Sequence, residues 1–420
     1  MHNNFVHMFK EASIMFTTDL GEIIFSLSKA LDLSAHGIAY HHHCVALISS
    51  AIADRLIMTD SERDVIFLSA LVHDAGVINK DELEDLIRFE DINPYQHCQK
   101  GYDIFSKSKF LKNIAKVLLY HHDRFNGDNV SGLIGNEIPL NSSIIYLADR
   151  VAVLIETGNG YILHRYKEIR NVISRNSRKA FNPKVVDAFM AVSNSKNFWL
   201  DLQSEFKTAI VNQKKPIIKI DLTSKQLVDI AVSFSKIIDQ KSPYTYNHSN
   251  GVALVADYLA DKFLFSNNER TLIKVAGYLH DLGKISITNE ILDKPCKLTD
   301  EEFTIIKKHP LYSYQLLQGI PGFKLISQWG SYHHEMLNGL GYPFGLKGEQ
   351  ITLGARIMAV SDIFIALTED RPYRKGLDCK QCLAILKEAC ERGEIDINVV
   401  TQVELNYDEL LLIIKGNPLK

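Results

Sequence analysis

The chain has 420 residues, too many for one compact core of ordinary size, so two domains of roughly equal length are expected. Apolar residues make up 46% and charged residues 23%, a globular balance that leaves no room for a long disordered or collagen-like region. The formal net charge of -3 lacks the basic excess of a protein that wraps DNA or RNA, which argues against a polymeric nucleic acid partner and leaves a small anionic ligand open.

Met1 to Lys10 carries neither a basic leader followed by an apolar stretch nor a small-residue cleavage site, and no apolar run reaches membrane-spanning length. The expectation is a cytoplasmic chain with no membrane partner. The six cysteines (Cys44, Cys98, Cys296, Cys379, Cys382, Cys390) are scattered and are expected as reduced thiols. Cys379 and Cys382 form a lone CxxC with no second pair or histidines at zinc spacing, so they are read as two helix residues.

In chain order, the first chemistry-bearing segment is His41-His42-His43-Cys44-Val45-Ala46-Leu47. A helix start is expected at Asp60 or Ser61, before Glu62. His73-Asp74 follows within Leu-Val-His-Asp-Ala-Gly, then His97, Tyr120-His121-His122 and Asp149. Between Gln213 and Asp221, Lys214-Lys215-Pro216 and a short β-branched run interrupt the helical pattern. The domain boundary is placed there, giving 1–215 and 216–420.

The second half repeats the first. His248-Ser249-Asn250-Gly251-Val252-Ala253-Leu254 matches the His41 segment at an offset of 207, which also carries His73-Asp74 onto His280-Asp281. The offset drifts to 212, where His97 meets His309 and His121-His122 meets His333-His334, then to 213, where Asp149 meets Asp362. Small loop deletions account for the drift. Apolar residues recur at helical spacing, as in Val252, Val255, Ala256 and Leu259, and Thr299 before Glu301 and Glu302 reads as another helix start. The expected fold is all-α, with two helical bundles in tandem.

His280-Asp281 closes the apolar stretch Val275-Ala276-Gly277-Tyr278-Leu279, and adjacent helical residues point about 100° apart, so an imidazole and a carboxylate can approach one cluster from neighbouring directions. His248, His309, His333, His334 and Asp362 bring the set to seven nitrogen and oxygen ligands. Any one such histidine would pass as a capping or core residue; seven of these groups, repeated, point to metal. Imidazole and carboxylate without thiolate suit iron or manganese, with nickel and zinc also compatible. Two ions about 3.5 to 4 Å apart suit in-line hydrolysis of a phosphodiester.

After the histidine pair comes a glycine-rich loop containing His333-His334-Glu335, Gly339, Gly341-Tyr342-Pro343 and Gly345-Leu346-Lys347-Gly348. Together with His280-Asp281-Leu282-Gly283-Lys284, His309-Pro310, and Asp362 ahead of Ala366-Leu367-Thr368 and Asp370-Arg371-Pro372-Tyr373-Arg374, this stretch resembles the HD-GYP family from roughly Ser242 to Gly376. The resemblance implies two tandem HD-type helical bundle domains, the second an HD-GYP phosphodiesterase. It implies a first metal on His248, His280, Asp281 and Asp362 and a second on Asp281, His309, His333 and His334, with Asp281 bridging. Asp281 and Lys284 take the catalytic places, and Lys284, Tyr342, Arg371 and Arg374 the substrate-binding ones, guanidinium forks being suited to phosphate.

Some family members hold a third metal with a carboxylate four residues before the first histidine; here that residue is Tyr244, so two ions are expected. Ser242-Pro243-Tyr244-Thr245 stands where many members have an acidic first residue. The implied substrate is a cyclic dinucleotide, opened to a linear dinucleotide. The tandem arrangement resembles cGAMP-degrading enzymes, which favours 3',3'-cGAMP and leaves c-di-GMP open. The rival is a non-catalytic signalling module that binds without turnover.

By alignment the first half keeps His41, His73, Asp74, His97, His121, His122 and Asp149, a complete ligand set for a further metal site, with His42 or His43 as substitutes for His41 if the register slips. Val77 replaces the lysine, Asp123 to Val130 contains no GYP, and no Asp-Arg-Pro-Tyr-Arg follows Asp149. Three roles compete: a second hydrolase acting on the linear product, a regulatory sensor, and a decayed copy. The last is disfavoured because such a cluster is costly to bury without metal. A homodimer or a signalling-protein partner is left open.

Overall fold

The computed structural model describes residues 15–34, 40–77, 95–241, 248–294, 296–370 and 375–416. Tyr244, Arg371 and Arg374 lie outside the described residues. The fold is all-α, as expected: among the described residues, apart from two four-residue strands, the regular structure is helical.

The first half runs β1 (Phe16–Asp19), α1 (Leu20–Ser34), α2 (His41–Ala53), α3 (Asp60–Ala70), α4 (Tyr95–Phe105), α5 (Lys112–Leu119), α6 (Leu140–Glu156), α7 (Ile162–Arg175), α8 (Pro183–Val192), α9 (Lys196–Gln203) and α10 (Lys207–Lys214). The second runs β2 (Lys219–Leu222), α11 (Ser224–Lys241), α12 (His248–Lys262), α13 (Asn267–Leu279), α14 (Asn289–Leu292), α15 (Asp300–Ile306), α16 (His309–Leu317), α17 (Lys324–Ser331), α18 (Leu353–Thr368), α19 (Cys379–Glu391), α20 (Ile397–Leu405) and α21 (Tyr407–Gly416). Among the described helices none is long and apolar enough to cross a membrane.

Local chemistry sets the helix starts. Thr299 caps α15 in a reciprocal box with Glu302, as its spacing suggested. Helix α3 starts at Asp60, as expected, and its cap is Thr59, whose side chain and Glu62 satisfy each other's backbone N–H groups. In the second half α12 packs on α13 and α18 and buries Val252, Val255, Ala256 and Leu259 with Ile273, Val275, Ile357 and Val360. In the first, α2 packs likewise on α3 and α6 through Val45, Ile48, Ile66 and Ile145. Each fully buried aliphatic side chain contributes about 1.5–3 kcal/mol before entropy costs. Cys379 is exposed and Cys382 buried on α19, in keeping with two helix residues.

The halves are interlocked. The β-branched run of the linker forms β2, which pairs antiparallel with β1 in the register Phe16↔Leu222, Thr17↔Asp221, Thr18↔Ile220 and Asp19↔Lys219. Helix α1 leans across onto α16 and the 3-10 turn Leu282–Ser286 of the second half, and the Ser26 hydroxyl donates to the Leu316 carbonyl. Reciprocally, α11 packs on α4 of the first half.

Two candidate metal centres

The seven predicted side chains of the second half converge on one buried space. His248 opens α12, His280 and Asp281 close α13, His309 opens α16, His333 and His334 follow α17, and Asp362 lies within α18. His248 Nε2 is 3.0 Å from Asp362 Oδ1, and His280 Nε2 is 3.2 Å from Asp281 Oδ2. The other carboxylate oxygen, Asp281 Oδ1, is 3.2 Å from His309 Nε2. Asp281 therefore presents one oxygen to each of two ligand groups, His248 with His280 and His309 with His333 and His334, each group with its ligand atoms within 4.8 Å of one another. That is the placement a bridging carboxylate requires.

The donor set fits cations. His280, His309 and His333 each donate Nδ1–H to the carbonyl three residues back, at 2.7, 2.8 and 2.6 Å, which leaves the Nε2 lone pairs facing inward. His309 Nε2 and His333 Nε2 lie 3.3 Å apart. With both rings neutral, two lone pairs oppose each other, an arrangement that a cation between them relieves. His280 Nε2 is buried and makes no hydrogen bond. Gly283 lets α16 approach: a Cβ there would lie 2.0 Å from the His309 carbonyl oxygen, and a Cβ on Gly76 would likewise lie 2.1 Å from the His97 carbonyl oxygen in the first half.

Electrostatics divides the site. Burial, reinforced by neighbouring imidazoles, holds His333 well below the ordinary histidine range and His334 at about 3. Burial also works against charge on His248, but hydrogen bonds to Asp362 and Glu369 outweigh it and raise His248 to about 10. For Asp281 burial opposes ionisation, yet His280 and Lys284 hold its carboxyl well below the usual range.

Lys284 reaches the centre: its Nζ is 2.6 Å from Asp281 Oδ2, and its side chain keeps 24% exposure. Tyr342 lies against His334, ring centroids 4.8 Å apart. The loop carrying it is tied down by Glu335, whose carboxylate accepts the N–H groups of Phe344 at 2.6 Å and Leu346 at 2.8 Å. Gly341 is required there, since a Cβ would meet the Met336 nitrogen at 2.3 Å.

The first half builds the same centre. His41 Nε2 is 3.2 Å from Asp149 Oδ1, His73 Nε2 is 3.1 Å from Asp74 Oδ2, and His97 and His121 face each other through Nε2 at 3.2 Å. The ligand groups are His41, His73 and Asp149 on one side and Asp74, His97, His121 and His122 on the other. His41 is thus the residue in register, while His43 stacks on Phe25 and Tyr40. Two features differ. Arg150 is buried with Nη2 2.7 Å from Asp149 Oδ2, where the second half has Ile363. Asp123, at the place of Glu335, accepts the Ser131 hydroxyl at 2.6 Å instead of ordering a glycine-rich loop.

Sequence reasoning missed the carboxylates behind the first histidines. Glu156 lies 3.0 Å from His41 Nδ1, and Glu369 lies 3.3 Å from His248 Nδ1. Each stands seven residues after the aspartate of its centre, two turns along, a spacing that could have revealed them. Asp32 and Asp239, also 207 apart, likewise went unread.

Comparisons with known proteins agree with this duplication. HD domain profiles match residues 38–154 and 233–399. A 3'3'-cGAMP-specific phosphodiesterase 1 of Vibrio cholerae is 29% identical over 412 residues, covering 95% of this chain and 94% of the relative. A cyclic di-GMP phosphodiesterase of Thermotoga maritima is 33% identical over 171 residues, 38% of this chain and 46% of the relative. The crystal structure of the cyclic GMP-AMP specific phosphodiesterase V-cGAP3 of V. cholerae superimposes with a TM-score of 0.64 at 25% identity, covering 96% of this chain and 99% of that one. The chain belongs to the HD-domain family, with two HD domains in tandem, and is a phosphodiesterase.

Proposed function

We propose that the second HD domain hydrolyses one 3'-5' phosphodiester bond of a cyclic dinucleotide, 3',3'-cGAMP in preference to c-di-GMP, and releases a linear dinucleotide. The observation that supports this best is the convergence of seven ligands around a carboxylate with one oxygen toward each group, with a partly exposed lysine at its edge. Two divalent ions, iron or manganese, held by His248, His280, Asp281 and Asp362 and by Asp281, His309, His333 and His334, would supply Lewis-acid charge and an activated water.

The chain's own groups bind and orient. Lys284 binds a phosphate oxygen, and Arg371 and Arg374 complete the clamp on the dianionic substrate. Tyr342 lies beside His334 at the edge of the centre, its loop held in place by Glu335 through the N–H groups of Phe344 and Leu346. Asp281 stays ionised between the ligand groups. The preference for cGAMP rests on length: of three relatives named for cGAMP, one aligns over 95% of this chain, one over 69% and one over 36%, whereas relatives named for cyclic di-GMP align over 34 to 38% of it.

The test is incubation of the manganese- or iron-loaded protein with each cyclic dinucleotide, beside His280→Ala and Asp281→Ala. Linear product from cGAMP faster than from c-di-GMP, lost in both variants, is the expected result. Intact cyclic dinucleotides after incubation with wild type would overturn the reading and leave the non-catalytic module in its place.

A further inference from the structure

We propose that His42 is a metal ligand of the first centre with no counterpart in the second, joining His41, His73, Asp74 and Asp149 around one divalent transition-metal ion. The inference rests on reading the His/Asp clusters as metal centres and extends it to a residue outside the duplicated set.

His42 is 4% exposed, and its two nitrogens have different surroundings. Nδ1 is 2.6 Å from Asp32 Oδ1, so the carboxylate takes the Nδ1–H and leaves a lone pair on Nε2. That Nε2 is buried and makes no hydrogen bond. It falls in one group with the ligand atoms of His73 and Asp74, all within 4.8 Å of one another. A carboxylate behind one imidazole nitrogen and an open lone pair on the other is how metal-ligating histidines are commonly held. An unfilled buried lone pair pointing at two further ligands has no other evident use.

His73 belongs to two groups, one with His41 and Asp149 and one with His42 and Asp74. One Nε2 lone pair serves one ion, so His42 adds to the ion that His73 holds and does not create a separate site. In the second half the same place is Ser249, whose hydroxyl donates to Asp239 Oδ1 at 3.0 Å. The first centre also differs in that Arg150 occupies the Asp149 oxygen turned away from His41. Its His73-side ion is therefore nitrogen-rich and has fewer open positions than its counterpart. Closed coordination retains metal, whereas turnover needs an open position. The first HD domain is thus built to keep its ion, which favours a structural or regulatory role over a second hydrolysis step.

Zinc serves as the probe. Anomalous diffraction at the zinc edge from the loaded full-length protein should place an ion at about 2.0–2.1 Å from His42 Nε2, the ordinary zinc–imidazole distance. In the full chain carrying His280→Ala and Asp281→Ala, so that only the first centre binds, His42→Ser should release zinc to a chelator about 10–100-fold faster, and Asp32→Asn should shift release in the same direction. Serine is what the second copy carries at this position, and the melting midpoint of the metal-free variant checks that the fold is kept. An ion more than about 3 Å from His42 Nε2, beyond any zinc–imidazole bond, or release at the parent rate from a folded His42→Ser protein, overturns the proposal. Absence of zinc from the first centre also overturns it and leaves the second centre's assignment standing, since no cyclic dinucleotide is used in the measurement.

Discussion

Glu369 accepts a hydrogen bond from His248 Nδ1 at 3.3 Å, on the ring edge opposite the nitrogen that faces Asp362 at 3.0 Å. The carboxylate fixes the tautomer and the ring plane without touching the metal position. Replacing Glu369 by Gln should weaken metal binding at the second centre about 10–100-fold while activity recovers at high metal concentration. Isothermal titration of the metal-free protein measures the first effect and activity against metal concentration the second. Unchanged affinity would remove Glu369 from the site.

Lys284 gives a different signature. Its ammonium sits 2.6 Å from Asp281, at the edge of the centre and partly in solvent. Lys284→Met should lower kcat/KM by about 10–100-fold, the loss of one charge-assisted contact. Bound metal should stay at the wild-type stoichiometry by elemental analysis. Loss of metal together with activity would mean that the lysine holds Asp281 rather than substrate.

Glu335 is 3% exposed and satisfies two loop N–H groups. Glu335→Ala removes both acceptors, which should cost about 2–4 kcal/mol of stability and raise KM more than it lowers kcat, because the loop carrying Tyr342 loses its anchor. Denaturant melts and steady-state kinetics separate the two effects. The corresponding change at Asp123 should leave catalysis by the second domain unchanged.

Metal uptake should release protons. His248 is raised to about 10 in the metal-free protein, so at neutral pH it carries a proton that ligation must displace. Because the folded-state value lies above the ordinary 6.5, the stability this proton contributes is fully present below about pH 6.5 and is lost as pH rises through about 10. Apparent metal affinity should accordingly rise about tenfold per pH unit between about pH 7 and 9 for each proton displaced. Titration calorimetry in two buffers of different ionisation enthalpy counts the protons directly. No difference between buffers would contradict a charged His248.

The candidate ligands were legible because duplication prints them twice: His280-Asp281 and His73-Asp74 keep their offset, and helical spacing brings distant histidines to one bundle end. The residues behind them were not. Glu156 and Glu369 look like ordinary surface acids at helix ends until the His41 and His248 rings are placed against them. His42 is harder still, since three consecutive histidines give no sign of which faces the centre. Only the fold of α1 over α2, which brings Asp32 to Nδ1, separates them. The start of α3 at Asp60 was legible but its cap was not singled out, because Thr, Asp and Ser in succession can all cap a helix, and Glu62 selects the one three residues before it.

The pairing of Phe16–Asp19 with Lys219–Leu222 has a consequence for biosynthesis. The first of these strands finds its partner only after some two hundred further residues have been made, and the helix after it, α1, rests on a turn and a helix made later still. During translation the first domain can gather its own histidines, but α1 keeps an uncovered flank until residues 282–317 emerge. A gene cut at the linker should therefore yield an N-terminal fragment prone to aggregation and a C-terminal fragment lacking the helix that lies over its Leu282–Ser286 turn. The two are better supplied together, as fragments that reassemble.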